Sequence, residues 1–133
     1  MLKIEHLGIA VNKLNDSIPL FEQLLNTPCY KTEGVESEGV NTAFFQTGDS
    51  KIELLEATND NSPIAKFIGK KGEGIHHIAF EVENIEAEMK RLQALGFDLL
   101  NAVPKNGADN KLVCFLHPKT TNGVLIELCQ EKK

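Results

Sequence analysis

Residues 3–11 alternate: Leu7, Ile9 and Val11 fall on one side of an extended chain, and His6, Gly8 and Ala10 on the other. Residues 76–82 do likewise, with Ile78, Phe80 and Val82 opposite His77, Ala79 and Glu81. Both stretches read as half-buried strands in which small residues surround a histidine. After each one the period lengthens to that of a helix. Ile18, Phe21, Leu24 and Leu25 recur at helical spacing behind Asn15 or Asp16 as N-cap, with Pro19 in the first turn. Ile85, Met89, Leu92 and Leu95 form the second stripe behind Asn84, and Gly96 ends it. Three short strands are predicted to follow in each half, over about 29–34, 40–47 and 50–57, then about 97–103, 111–117 and 123–130.

This order is βαβββ twice, and the sequence itself repeats. IEHLGIAVNKL, from Ile4, lies over IHHIAFEVENI, from Ile75, at a gap-free offset of 71 residues that puts His6 on His77, Val11 on Val82 and Phe21 on Leu92. KIELLE, from Lys51, matches LIELCQ, from Leu125, and places Glu53 on Glu127 at an offset of 74. An internal duplication explains both offsets, with three residues inserted between them. Each half therefore owns one histidine and one glutamate. The expected architecture is a single α+β domain, 1–133, of modules 3–57 and 74–130 that curve mixed sheets into a cup with helices outside. Residues 58–73 are the linker, in which SPIAKFIGK can form a short helix.

Composition narrows the classes. A chain of 133 residues, 41% hydrophobic and 25% charged, is long enough for one core and unlike a disordered protein. No apolar run approaches the roughly 20 residues of a membrane helix, and MLKIEHLGIAV lacks the marks of a signal peptide, so no membrane partner and a cytoplasmic location are expected. A net charge of −5 gives nucleic acid no basic footprint. An anionic ligand would need locally clustered lysines. Cys29, Cys114 and Cys129 cannot all pair within one chain and show no CxxC spacing, which makes them small hydrophobes of the core.

Glu53 and Glu127 sit between large aliphatics in strands that should be buried, on the face shared with His6 and His77. A single strand histidine is ordinarily a satisfied polar residue, and a lone glutamate an edge carboxylate. Four such groups placed by a repeat are better explained by a divalent cation, because buried carboxylates are costly without a partner. Imidazole and carboxylate together suit cobalt, manganese, nickel or zinc. His76 should face away from His77 and be structural. His117, in FLHPK, fits a hydrogen-bonding role near a site or a surface position equally.

HLGIAV, GIHHIAFEV, IELLE and VLIEL in duplicated βαβββ modules resemble the glyoxalase, or vicinal oxygen chelate, superfamily. DNSPIAKFI and the run PKNGADNKLVCFLHPKTTNGVLIEL make the chain most similar to its methylmalonyl-CoA epimerase family. The resemblance implies a divalent metal held by His6, Glu53, His77 and Glu127, an acyl-CoA substrate and a homodimer. It implies epimerisation through a metal-stabilised enediolate, with Glu127 as one proton-transfer base. The family's usual second base falls at Ser37, so Glu36 or Glu38 beside it takes that role. Lys105, Lys111 and Lys119 are the candidates for the CoA arm, with Lys66, Lys70 and Lys71 as a further cluster. Rival readings are a glyoxalase I-type lyase acting on thiol hemithioacetals, a metal-free small-molecule-binding protein of the same fold, and an extradiol dioxygenase. The lyase is disfavoured by HPKTTNGVLIEL, which replaces a DPDG-type turn, and the dioxygenase by Glu53, which would obstruct an open metal position.

Overall fold

The computed structural model describes residues 1–132; Lys133, the end of the expected span, lies outside the described residues. The chain forms two compact units, one running from His6 to His76 and the other joining Met1–Glu5 to the residues from His77 onward. In the first, strand β1 (Lys3–Ala10, from His6 on) leads to helix α1 (Leu14–Leu25), then β2 (Lys31–Val35), β3 (Val40–Thr47), β4 (Ser50–Ala57) and helix α2 (Pro63–Lys71). Its strands lie in the order β2-β3-β4-β1, with β1 parallel to β4 and the other pairs antiparallel. In the second, β5 (Gly74–Glu81, from His77 on) leads to α3 (Ile85–Ala94), β6 (Lys105–Asn106), β7 (Lys111–Leu116) and β8 (Ile126–Glu131). The order there is β5-β8-β7-β6, and only β5–β8 is parallel among these pairs.

The apolar faces read from alternation are the ones the helices cover. Leu14, Ile18, Phe21 and Leu25 of α1 pack on Ile9, Val11, Ala43, Phe45, Ile52 and Leu54. Ile85, Met89 and Leu92 of α3 pack on Val82, Cys114, Leu116, Ile126 and Leu128. Leu24 and Leu95 leave the expected stripes and are exposed. Leu24 is off the 14–18–21–25 face, and Leu95 stands past the last full turn as C-cap. The linker helix does form, with Ser62 Oγ accepting from the Ile64 N–H at 3.1 Å and Pro63 opening its first turn. Ile64, Phe67 and Ile68 pack on Ala10, Val40, Leu55 and Ala57, the sheet face opposite α1 and the one that carries His6.

Two expectations about boundaries are corrected. The predicted strand over 97–103 reduces to one bridge between Leu99 and Leu116, followed by the two-residue β6. Asn101 Oδ1 accepts from the Phe115 N–H at 3.0 Å, so a side chain takes the place of a ladder carbonyl, and Pro104 has no N–H to offer. Helix α1 starts at Leu14, ahead of Asn15 and Asp16, and Pro19 lies in its second turn. No local side chain caps it. The Leu14 N–H instead donates to Glu56 Oε1 on β4 at 2.7 Å. The second unit repeats this device: the Ile85 N–H donates to Gln130 Oε1 on β8 at 2.7 Å, alongside the local Asn84 cap. Glu56 and Gln130 stand in the same offset as Glu53 and Glu127, so the duplication includes its own long-range caps.

The three cysteines are free, with Cys114 and Cys129 buried and Cys29 half-buried. Burial pushes the Cys114 thiol above its ordinary pKa. The capping geometry predicts that Glu56→Ala and Gln130→Ala each lower unfolding free energy by about 1 kcal/mol in urea titrations. Glu56→Gln should cost less, since glutamine performs this role in the other unit; unchanged midpoints in both alanine variants would show that the caps contribute nothing.

Candidate metal centre

In the first unit the parallel ladder sets Gly8 opposite Glu53, two residues along β1 from His6. His6 Nδ1 and Glu53 Oε2 lie 3.1 Å apart. In the second unit Ala79 stands opposite Glu127, two residues from His77, and His77 Nε2 lies 3.0 Å from Glu127 Oε1. On the other flank the antiparallel ladders set Phe44 beside Glu53 and Phe115 beside Glu127. Each carboxylate is therefore bracketed by a small residue and a phenyl ring. The His77 ring meets Phe115 edge-on, with centroids 5.8 Å apart.

The repeat reaches one step further than the sequence reading did. Lys31 Nζ lies 4.6 Å from the Phe44 ring centroid, and Lys105 Nζ lies 5.5 Å from that of Phe115. Lys31 and Lys105 share the offset of the two glutamates, a signal available in the sequence. A cation over each ring adds positive charge beside a carboxylate-bearing strand.

All four proposed ligands are buried, His6 and Glu53 at 4% exposure and His77 and Glu127 at 6%. Removing a carboxylate from water costs several kcal/mol, and the imidazole beside each one offsets part of that. Each unit thus offers one imidazole nitrogen and one carboxylate, donor types that suit cobalt, manganese, nickel or zinc.

Glu36 and Glu38 lie in a single 3₁₀ turn, Glu36–Glu38, with Glu36 and Ser37 exposed and Glu38 half-buried. Gly39 ends the turn at φ 63°, where a Cβ would also meet Ser62 Cβ at 3.1 Å. Lys119 is exposed and pairs with Asp98 at 3.0 Å. His76 rests edge-on against Phe67, centroids 5.0 Å apart. His117 Nδ1 accepts from the Lys119 N–H at 3.0 Å and so caps the turn after β7.

A family model, the Glyoxalase/Bleomycin resistance protein/Dioxygenase superfamily, matches residues 5–115. An ethylmalonyl-CoA/methylmalonyl-CoA epimerase of Cereibacter sphaeroides is 39% identical over 130 residues, which are 96% of this chain and 97% of that one. The crystal structure of methylmalonyl-CoA epimerase from Mycobacterium tuberculosis superposes with a TM-score of 0.95 at 31% identity, covering 98% of this chain and 89% of that one. A methylmalonyl-CoA epimerase in complex with methylmalonyl-CoA and NH4+ gives 0.93 at 33% identity, covering 98% and 95%. The α+β fold is accordingly the glyoxalase-like fold of these epimerases.

Lys111, a candidate in the sequence for a CoA contact, is enclosed by the fold. It is 4% exposed, with Nζ 3.0 Å from Glu131 Oε1 and 4.0 Å from the buried Glu5 Oε2. Its ammonium neutralises an interior carboxylate. Lys111→Met should therefore destabilise the protein by about 3 kcal/mol in urea, because one end of a buried ion pair is removed. A variant as stable as the unaltered protein would show that Glu5 does not depend on it.

Proposed function

Since this chain belongs to the glyoxalase/bleomycin resistance protein/dioxygenase superfamily, we propose that it is an isomerase that epimerises methylmalonyl-CoA or a closely similar 2-acyl thioester. One observation carries the reading: a buried histidine–glutamate pair recurs in both modules of a chain that resembles epimerases along nearly its whole length. His6, Glu53, His77 and Glu127 would together hold one divalent ion. When bound, such an ion acts as a Lewis acid that favours negative charge on the substrate's oxygens.

The proton transfers belong to carboxylates of the chain. The α-carbon lies between a carboxylate and a thioester carbonyl, and removing its proton leaves an enediolate. One carboxylate takes that proton, and a second, already protonated, delivers its own to the opposite face. Two bases are required because a single base tends to return the proton to the face it left. Glu127 is one, and Glu38 or Glu36, on the turn before β3, is the other. Lys105 and Lys119 remain candidates for the phosphates of the CoA arm, where positive charge must be found on an acidic chain. A homodimer belongs to the same proposal, supported by family resemblance.

The assay is proton exchange and interconversion of methylmalonyl-CoA enantiomers in deuterated water, with metal content measured on protein purified without an affinity tag. Glu38→Gln or Glu36→Gln should leave metal content unchanged and abolish interconversion, while one enantiomer still exchanges through Glu127. His77→Ala should lose metal and both activities together. If both glutamine variants epimerise normally, the two-base assignment is wrong. Lactoyl-thioester formation from methylglyoxal and a thiol, without action on methylmalonyl-CoA, would replace the epimerase reading with the lyase.

A further inference from the structure

Thr42 lies in the middle of β3, 1% exposed, and its hydroxyl has no hydrogen-bond partner. The ladders set it opposite Leu55 on β4 and Glu33 on β2. Strand alternation gives it the face of Phe44 and Glu53, opposite the α1 face of Ala43, Phe45 and Leu54. It therefore sits one step along β3 from the ring that flanks Glu53. One step the other way is Val40, in the apolar floor under α2 with Leu55 and Ile64.

A buried hydroxyl with nothing to bind costs free energy, and such groups are rare in native proteins unless a function retains them. The duplication supplies an internal control. The offset that sets Phe44 on Phe115 sets Thr42 on Val113, and the ladder that pairs Thr42 with Leu55 pairs Val113 with Cys129. Val113 is buried on the same face of its own sheet, against Ala79, Cys129 and Phe115. Valine is close to isosteric with threonine, so the fold accepts an apolar side chain at this place. The hydroxyl is a departure from the repeat, confined to the unit that carries the acidic turn Glu36–Glu38.

We propose that Thr42 Oγ1 is a substrate-binding group, donating a hydrogen bond to an oxygen of the acyl moiety. The assignment rests on the thioester reading above and adds to it a residue that discriminates among acyl groups. A donor without a competing protein acceptor is ready to meet an oxygen, and an unpaired donor penalises an acyl group that presents none.

The test compares Thr42→Val and Thr42→Ser with the unaltered protein, using kcat/KM for methylmalonyl-CoA epimerisation, affinity for the same thioester by calorimetry, and Tm. Thr42→Val should keep or raise Tm and lower both kcat/KM and affinity about tenfold to a hundredfold. Thr42→Ser should retain most of both. Unchanged affinity and kcat/KM in Thr42→Val would overturn the assignment. So would a lowered Tm in that variant, which would reveal a structural hydrogen bond. Failure of the unaltered protein to bind or epimerise the thioester would overturn the reading beneath it, and is told apart because it precedes any mutation.

Discussion

Two carboxylates held out of water on sheet faces set the terms for the rest of this structure. A buried glutamate is tolerated only with compensating charge or hydrogen bonds, and Glu53 and Glu127 each have an imidazole within about 3 Å. To put a histidine against a glutamate on a neighbouring parallel strand, the residue opposite the glutamate must be small. Gly8 and Ala79 meet that need. The parallel pairing also fixes the connection: β1 and β4, like β5 and β8, run in the same direction, so each module needs a crossover that includes a helix. The βαβββ order thus follows from the same ladder that brings each pair together.

Much of this was legible because duplication lets one half check the other. The alternation around His6 and His77 identified the core face, and the offsets of 71 and 74 paired the histidines and glutamates without any alignment to other chains. What escaped was non-local. The cap of α1 comes from Glu56, 42 residues away, whereas the sequence beside the helix offers only Asn15 or Asp16. The strand expected over 97–103 has a fair apolar pattern, yet Asn101 takes its hydrogen bond through a side chain, which periodicity does not register. Lys111 falls among the CoA-arm candidates in the sequence because its acidic neighbours, Glu5 and Glu131, are distant along the chain.

The helix caps show how the repeat tolerates change. Glu56 and Gln130 differ in charge and still offer the same side-chain oxygen at 2.7 Å to a helix N-terminus. The carboxylate meets the positive end of α1 and the amide meets that of α3, so the stronger acceptor serves the helix that has no local cap. Where a second cap exists, as at Asn84, the long-range one can afford to be neutral.

Duplication produces equivalent groups, whereas exchanging a proton between two faces of one carbon calls for two bases that start in opposite protonation states. The proposed ligand pairs, the flanking rings and the lysines over them all come in twos. The acidic turn Glu36–Glu38, α2 and Thr42 belong to the first unit, while the second has Val113 at the place of Thr42 and Lys111 at that of Val40. A base drawn from the duplicated set, Glu127, and one from the unduplicated turn would differ in surroundings. One can then stay near an imidazole while the other, closer to solvent, exchanges its proton. Symmetry accounts for holding the charge, and its local loss is where a reaction between two faces would be expected to draw its second base.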